Sequence, residues 1–142
     1  MSVLFILGAC NIVPNNVTSS PSFEQAEGTV TIGEQTFPMI LDQYVWKENN
    51  IEVSTVSEED IFLLAEEFPT VEVGKEEKIY IEVTQAPSSL KVIQWNEDGT
   101  SEEVSLTDDE MLVPEDEGYY IFEVQATWSQ GEYVYVFDIE RM

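Results

Sequence analysis

The sequence contains no histidine, one cysteine and only five lysine or arginine residues among its 142. Without histidine, serine–histidine catalysis, histidine-ligated zinc and a histidine pH switch are excluded. The lone Cys10 has no partner for an internal disulfide. So few cations cannot neutralise a phosphate backbone, so no nucleic-acid partner is predicted. The sequence therefore predicts a protein that is not an enzyme and has no cofactor.

Long apolar runs are also missing. Beyond the first residues, none approaches the roughly 20 residues that a membrane span needs. The hydrophobic fraction of 43% is ordinary for a globular chain, and 142 residues suffice for one core. The apolar residues are mostly Val, Ile, Tyr, Phe and Trp, which favour strands.

Acidic residues are abundant, with 29 Asp and Glu and a net charge of −24. One interpretation is a basic partner, such as a cationic peptide, a basic protein or multivalent cations. The other is environmental, because carboxylates keep an extracellular protein soluble in salty or alkaline surroundings. The acids are spread along the chain instead of forming one tract, which favours the environmental interpretation.

The N-terminus has the pattern of a bacterial lipoprotein signal. An apolar run at 3–6 is followed by Leu7-Gly8-Ala9-Cys10, two small residues before a cysteine that would carry the lipid. This predicts a signal remnant at 1–9, a lipidated Cys10 with a flexible tether at 10–27, and a location on the extracellular face of the cell membrane. Secretory signals begin with Lys or Arg and have a longer apolar core, so we expect the true start upstream of Met1.

Residues 28–67 predict an N-terminal extension of two hairpins and one short helix, packed on the following domain. The hairpins pair 29–32 with 36–40 and 44–46 with 51–53, and Pro38 confines its strand to a sheet edge or a bulge. Ser57 is the expected helix cap. An apolar stripe then follows at helical spacing, and Pro69 ends the helix. The stripe consists of Ile61, Leu64, Ala65 and Phe68.

Residues 68–142 read as short strands separated by turn signals, ending in a long hairpin of 119–128 with 132–140. This pattern predicts an all-β fold, an immunoglobulin-like antiparallel β-sandwich with the N-terminal extension attached.

One constellation supports the immunoglobulin-like prediction. Asp116, Gly118, Tyr120 and Phe122 follow the spacing of a tyrosine corner, with Phe122 where a disulfide cysteine stands in immunoglobulin domains. The Tyr120 hydroxyl is expected to bond upstream backbone. Trp95, on the strand equivalent to C, and Trp128 are predicted to be structural core residues.

The chain resembles small lipoproteins of Bacillus-type Firmicutes whose C-terminal half has an immunoglobulin-like pattern. The residues that carry this resemblance are Leu7-Gly8-Ala9-Cys10, Tyr44-Val45-Trp46, Val113-Pro114 with Gly118-Tyr119-Tyr120, and Ala126-Thr127-Trp128 through Gly131 to Tyr135-Val136-Phe137. Relatives of this kind often carry Cys beside the early Trp, where this chain has Val45. The resemblance implies a surface lipoprotein and brings no established activity.

The acidic loops offer candidate metal and catalytic sites. Paired carboxylates occur throughout the sequence, but they lie in predicted turns, where solvation keeps both members ionised. A glycosidase instead needs one carboxyl whose pKa is raised by burial, so no catalytic pair is predicted. Asp98, Asp108 and Asp109 are the candidate calcium ligands. Their spacing does not fit a helix–loop–helix site, so a solvated acidic loop is the favoured interpretation and no metal is predicted.

Strand alternation leaves one unusually apolar face on the final hairpin. Tyr119, Ile121, Val134 and Val136 share this face. Either the segment 28–67 packs on them through its helix, which we favour, or they form a partner patch.

The leading functional hypothesis is a membrane-anchored extracellular module that binds a protein or peptide without catalysis. The alternatives are a structural or envelope-stress surface protein with no discrete ligand, and a calcium-binding surface domain.

Overall fold

A computed structural model describes residues 25–56 and 60–142. The predicted signal remnant, Cys10, most of the tether and the proposed cap Ser57 lie outside these residues. Within them, no helix is long and apolar enough to span a membrane.

The described chain is built mostly from strands. It begins with β1 (Gly28–Ile32), β2 (Gln35–Pro38), β3 (Ile40–Glu48) and β4 (Ile51–Thr55). A short helix α1 (Ile61–Leu64) runs into a 3-10 turn η1 (Ala65–Glu67). The remaining strands are β5 (Val71–Val73), β6 (Lys78–Val83), β7 (Ser89–Trp95), β8 (Ser101–Val104), β9 (Glu110–Leu112), β10 (Gly118–Trp128) and β11 (Gly131–Arg141).

The strands form two sheets that pack face to face. Sheet I has the order β9-β6-β1-β2, and sheet II has the order β4-β3-β11-β10-β7-β8. Strand β5 also joins sheet II, parallel to the end of β11. Strands β7, β10 and β11 are neighbours in sheet II, and β6 lies in sheet I. The predicted all-β sandwich is confirmed.

Strand β11 is the axis of sheet II because both of its edges are occupied. Strand β10 pairs with it over the full length from Gly131 to Arg141. On the other edge, β3 pairs with residues 131–136 and β5 with residues 139–141. Two strands that are distant in sequence thus share one edge of β11.

The structure differs from the predicted division of the chain at 67/68. Strand β1 pairs with β6 from Gly28 opposite Val83 to Ile32 opposite Ile79, and β3 pairs directly with β11. Each pairing satisfies backbone groups of a sheet edge that would otherwise be open. Residues 28–55 are therefore parts of the two sheets, not an extension beside them. The predicted hairpins are present, and Pro38 lies on the edge strand β2.

The main core lies between the sheets. Alternate residues of β10 face inward, and Phe122, Val124 and Ala126 are fully buried. The ring of Phe122 stacks on that of Phe137 with the ring centroids 5.0 Å apart. The ring centroids of Phe137 and Phe68 are 6.1 Å apart. Burying each such ring contributes about 1.5–3 kcal/mol, so this aromatic row is a principal source of stability.

A second, smaller cluster lies on the outer face of sheet II. Asp60 caps α1, its side chain accepting a hydrogen bond from the Phe62 amide at 2.8 Å. Leu64 and Ala65 pack against Ile121 and Val136. The predicted apolar stripe is therefore divided, because Phe68 turns into the main core.

Candidate functional site

The predicted tyrosine corner begins β10. The Tyr120 hydroxyl donates to the Asp116 carbonyl oxygen at 2.9 Å, the upstream backbone bond expected from the sequence. Gly118 has φ of +147°, a conformation that side-chain-bearing residues rarely adopt. The corner therefore fixes how residues 114–118 approach the sheet.

Arg141 supports the same turn from the other side. Its guanidinium is buried and donates to the carbonyl oxygens of Pro114 at 2.9 Å and Glu115 at 3.0 Å. It also donates to the Met142 carbonyl. Bonds from a charged donor contribute about 1.5–3 kcal/mol, so the turn is held firmly.

An acidic cleft of about 560 Å³ lies between this turn and the β7–β8 turn. Six exposed carboxylates line it, and neither lysine nor arginine is among its lining residues. These acids are Glu97, Asp98, Glu102, Glu115, Asp116 and Glu117. Arg141 and Lys75 line a neighbouring depression, which shares residues 115–117 with the acidic cleft.

The β7–β8 side of the acidic cleft is ordered by side-chain hydrogen bonds. Asp98 accepts from the Thr100 hydroxyl at 2.6 Å and from the Thr100 amide at 2.9 Å. These donors lower the pKa of Asp98. Glu102 accepts from the Gln94 amide at 3.2 Å. Asp98 is therefore ionised at neutral pH and held in one position.

Tyr119 and Tyr120 are also among the lining residues of the acidic cleft. Burial raises the pKa of Tyr120, and the Asp116 charge raises it further, so its hydroxyl remains a neutral donor.

The candidate calcium ligands do not come together. Asp98 lines the acidic cleft, whereas Asp108 and Asp109 line a different depression. Asp108 and Asp109 have φ of +54° and +65° and form the two-residue turn between Thr107 and Glu110. In the described ranges, no three Asp, Glu, His or Cys side chains are grouped to hold a metal ion.

The candidate partner patch is covered. Ile121, Val134 and Val136 are buried and Tyr119 is half-buried. The helical segment packs on Ile121 and Val136, which is the favoured of the two sequence interpretations. These residues therefore offer no free docking surface. The cause is the return of the chain over sheet II between β4 and β5.

The two tryptophans predicted for the core differ in position. Trp128 is buried in the main core, and its indole donates to the Gln85 carbonyl at 2.7 Å. Trp95 lies on the opposite face of sheet II. Its ring centroid is 6.4 Å from that of Phe62, and its indole N–H donates to the Glu123 carboxylate at 3.0 Å. Trp95 therefore packs on the smaller cluster and not in the main core, because Val92, three residues earlier, faces the main core and odd spacing places Trp95 on the other face.

Two buried charged residues escaped sequence reasoning. Asp138 and Arg141 are both nearly inaccessible to solvent. Strand alternation places Asp138 on the same face as Val134 and Val136. This alternation could have predicted the burial of Asp138, because the helix is expected to cover that face of the hairpin.

In comparisons with protein-family models, curated proteins and solved structures, no match to this chain was found.

Proposed function

We propose that this protein is a membrane-anchored extracellular module that binds a cationic peptide or a basic protein segment in the acidic cleft, without catalysis. The concentration of six carboxylates around one cleft carries the proposal. The anchor is the lipid expected on Cys10, which the tether joins to the folded domain.

Electrostatics favours this partner over a small neutral ligand. The acidic cleft adds a local field to a net charge of −24, which attracts cations and raises their association rate. The six acids are exposed, so each ion pair contributes only about 0.2–1 kcal/mol and is weakened by salt. Affinity therefore requires several Lys or Arg side chains binding together, as in a basic peptide.

Exposure also separates this cleft from a glycosidase site. Acid catalysis needs one carboxyl whose surroundings keep it protonated near neutral pH. All six cleft carboxylates lie open to water, so none of them is enclosed in the apolar surroundings that such an acid needs. The acidic cleft is thus arranged for binding cations rather than for proton transfer.

Binding is tested with a fluorescently labelled octalysine peptide. The triple variant Glu97→Gln, Glu102→Gln and Glu117→Gln removes three cleft charges, and we expect about tenfold weaker binding in fluorescence anisotropy at low salt. The matched control Glu34→Gln, Glu72→Gln and Glu76→Gln changes the net charge equally on other surfaces and should lose less than about twofold. Equal losses of affinity in both variants would show that peptide binding depends on the total charge of the protein and not on the acidic cleft.

Anchoring is tested with Cys10→Ala expressed from the natural gene, including the DNA upstream of the Met1 codon. Lipidation needs the cysteine sulfur, and a diacyl anchor binds membrane stably. We expect the wild-type protein in the membrane fraction and the variant in the soluble fraction or the medium, both detected by immunoblot. A variant that sediments with membranes as completely as the wild type would contradict the anchor.

A further inference from the structure

A buried carboxyl lies on the outer face of sheet II, outside the acidic cleft. Asp138 is 1% exposed. Its Oδ2 accepts hydrogen bonds from the hydroxyls of Tyr119 and Thr70, the latter at 3.1 Å. Its Oδ1 is buried and has no hydrogen-bond partner in the described part of the chain. A half-satisfied buried carboxyl is most costly when it is ionised.

The groups around Asp138 do not supply a compensating cation. Strand β10 contributes Tyr119 and the cross-strand neighbour Ile121. The 3-10 turn η1 contributes Glu66 and β11 contributes Glu140, whose negative charges both act on Tyr119. The salt bridges found among the described residues join Lys47 to Glu52 and Lys78 to Glu110.

The balance of effects favours the neutral acid. Burial is the larger influence and raises the pKa of Asp138, while the hydrogen bonds from Tyr119 and Thr70 lower it in part. An ionised Asp138 would be relieved if water reached Oδ1, which requires the covering chain to move away.

Thr70 links Asp138 to that covering chain. It follows the covering segment 60–67, whose Leu64 and Ala65 pack on Ile121 and Val136. We propose that Asp138 is a proton-sensitive latch for segment 60–67, which closes firmly over the outer face of sheet II when the carboxyl is neutral and opens more often when it is ionised. Opening would expose the apolar residues that this segment covers.

The sign of the pH dependence follows from proton linkage. Because the folded state holds the proton more tightly than an open state with an ordinary carboxyl pKa of about 3.9, raising the pH above that value favours opening. Closure of the segment is strongest at acid pH. It weakens as the pH rises, until the pH exceeds the raised pKa that Asp138 has in the closed state. Above that point the opening equilibrium becomes constant.

The test is amide hydrogen exchange measured by NMR between pH 4 and pH 8, corrected for intrinsic rates. The reporters are the amides of Leu63 and Leu64, which both donate to the Asp60 carbonyl oxygen inside the segment. We expect their protection in the wild type to fall by about tenfold for each unit by which the pKa of Asp138 is raised. In Asp138→Asn, which has the same shape but cannot ionise, this fall should be absent. An equal fall in both proteins would overturn the latch.

A second variant keeps the proposal testable if Asp138→Asn does not fold. Tyr119→Phe removes a donor that favours the carboxylate, so the midpoint of the exchange transition should move to higher pH. The ¹³Cγ shift of Asp138 should titrate with the same midpoint in each protein. A midpoint unchanged by Tyr119→Phe, or a carboxyl titration that does not coincide with the exchange transition, would reject the proposal. Neither measurement uses a ligand of the acidic cleft.

Discussion

Replacing Phe122 with alanine is expected to lower the free energy of unfolding by about 3–5 kcal/mol. The side chain is fully buried, stacks on Phe137 and lies at the centre of the main core. Truncation leaves a cavity between packed sheets whose backbone cannot collapse into it.

Urea denaturation followed by circular dichroism measures this loss as a lower midpoint at an unchanged m-value. The matched control is Phe62→Ala, the same chemical change at a half-buried residue of α1, for which we expect about 1 kcal/mol. If the two variants lose equal stability, Phe122 is not the centre of the core.

Gly131→Ala is expected to destabilise the fold by about 3 kcal/mol or more. Gly131 lies opposite Trp46 in the β3–β11 ladder. A Cβ atom there would overlap the Val45 carbonyl oxygen and lie 2.8 Å from its carbonyl carbon. The obstacle is backbone and cannot rotate away, so β3 must separate from β11. That separation also strains the hydrogen bond from the Lys47 amide to the Gln130 carbonyl at 2.8 Å.

Calorimetric or urea unfolding gives the size of the effect, and faster amide exchange at Lys47 locates it. Gly74→Ala is the control, because a Cβ at Gly74 meets no atom within 4 Å; its change should stay within about 0.5 kcal/mol. Normal stability of Gly131→Ala would mean that β3 and β11 are not paired in this register.

The hairpins and the final ribbon could be predicted because their signals are local. Alternation across 29–32 and 36–40, and across the two long terminal strands, needs only neighbouring residues and a turn. The tyrosine corner is local for the same reason, since Asp116 and Tyr120 are four residues apart. The sheet to which each hairpin belongs depends on distant pairings, such as Gly28 with Val83, and no local pattern encodes it.

The acidic cleft illustrates the same limit. Asp98 and Asp116 belong to separate turns that come together only because β7 pairs with β10. The face of sheet II on which Trp95 lies could not be predicted for a related reason. Both faces of this sheet are apolar near the helix, so hydrophobicity does not distinguish them. Among the acids, burial selects Asp138, and burial is a property of the assembled sheet.

The position of β11 also determines when this protein can fold. Residues 131–141 are synthesised after every other described strand, yet they pair with β10, β3 and β5. Until they emerge, β5 has no partner strand, β3 is paired only with β4, and the main core lacks Phe137 and Ile139. Contacts that span so much of the chain also slow folding. The two-sheet fold can therefore be completed only after the last strand has been synthesised.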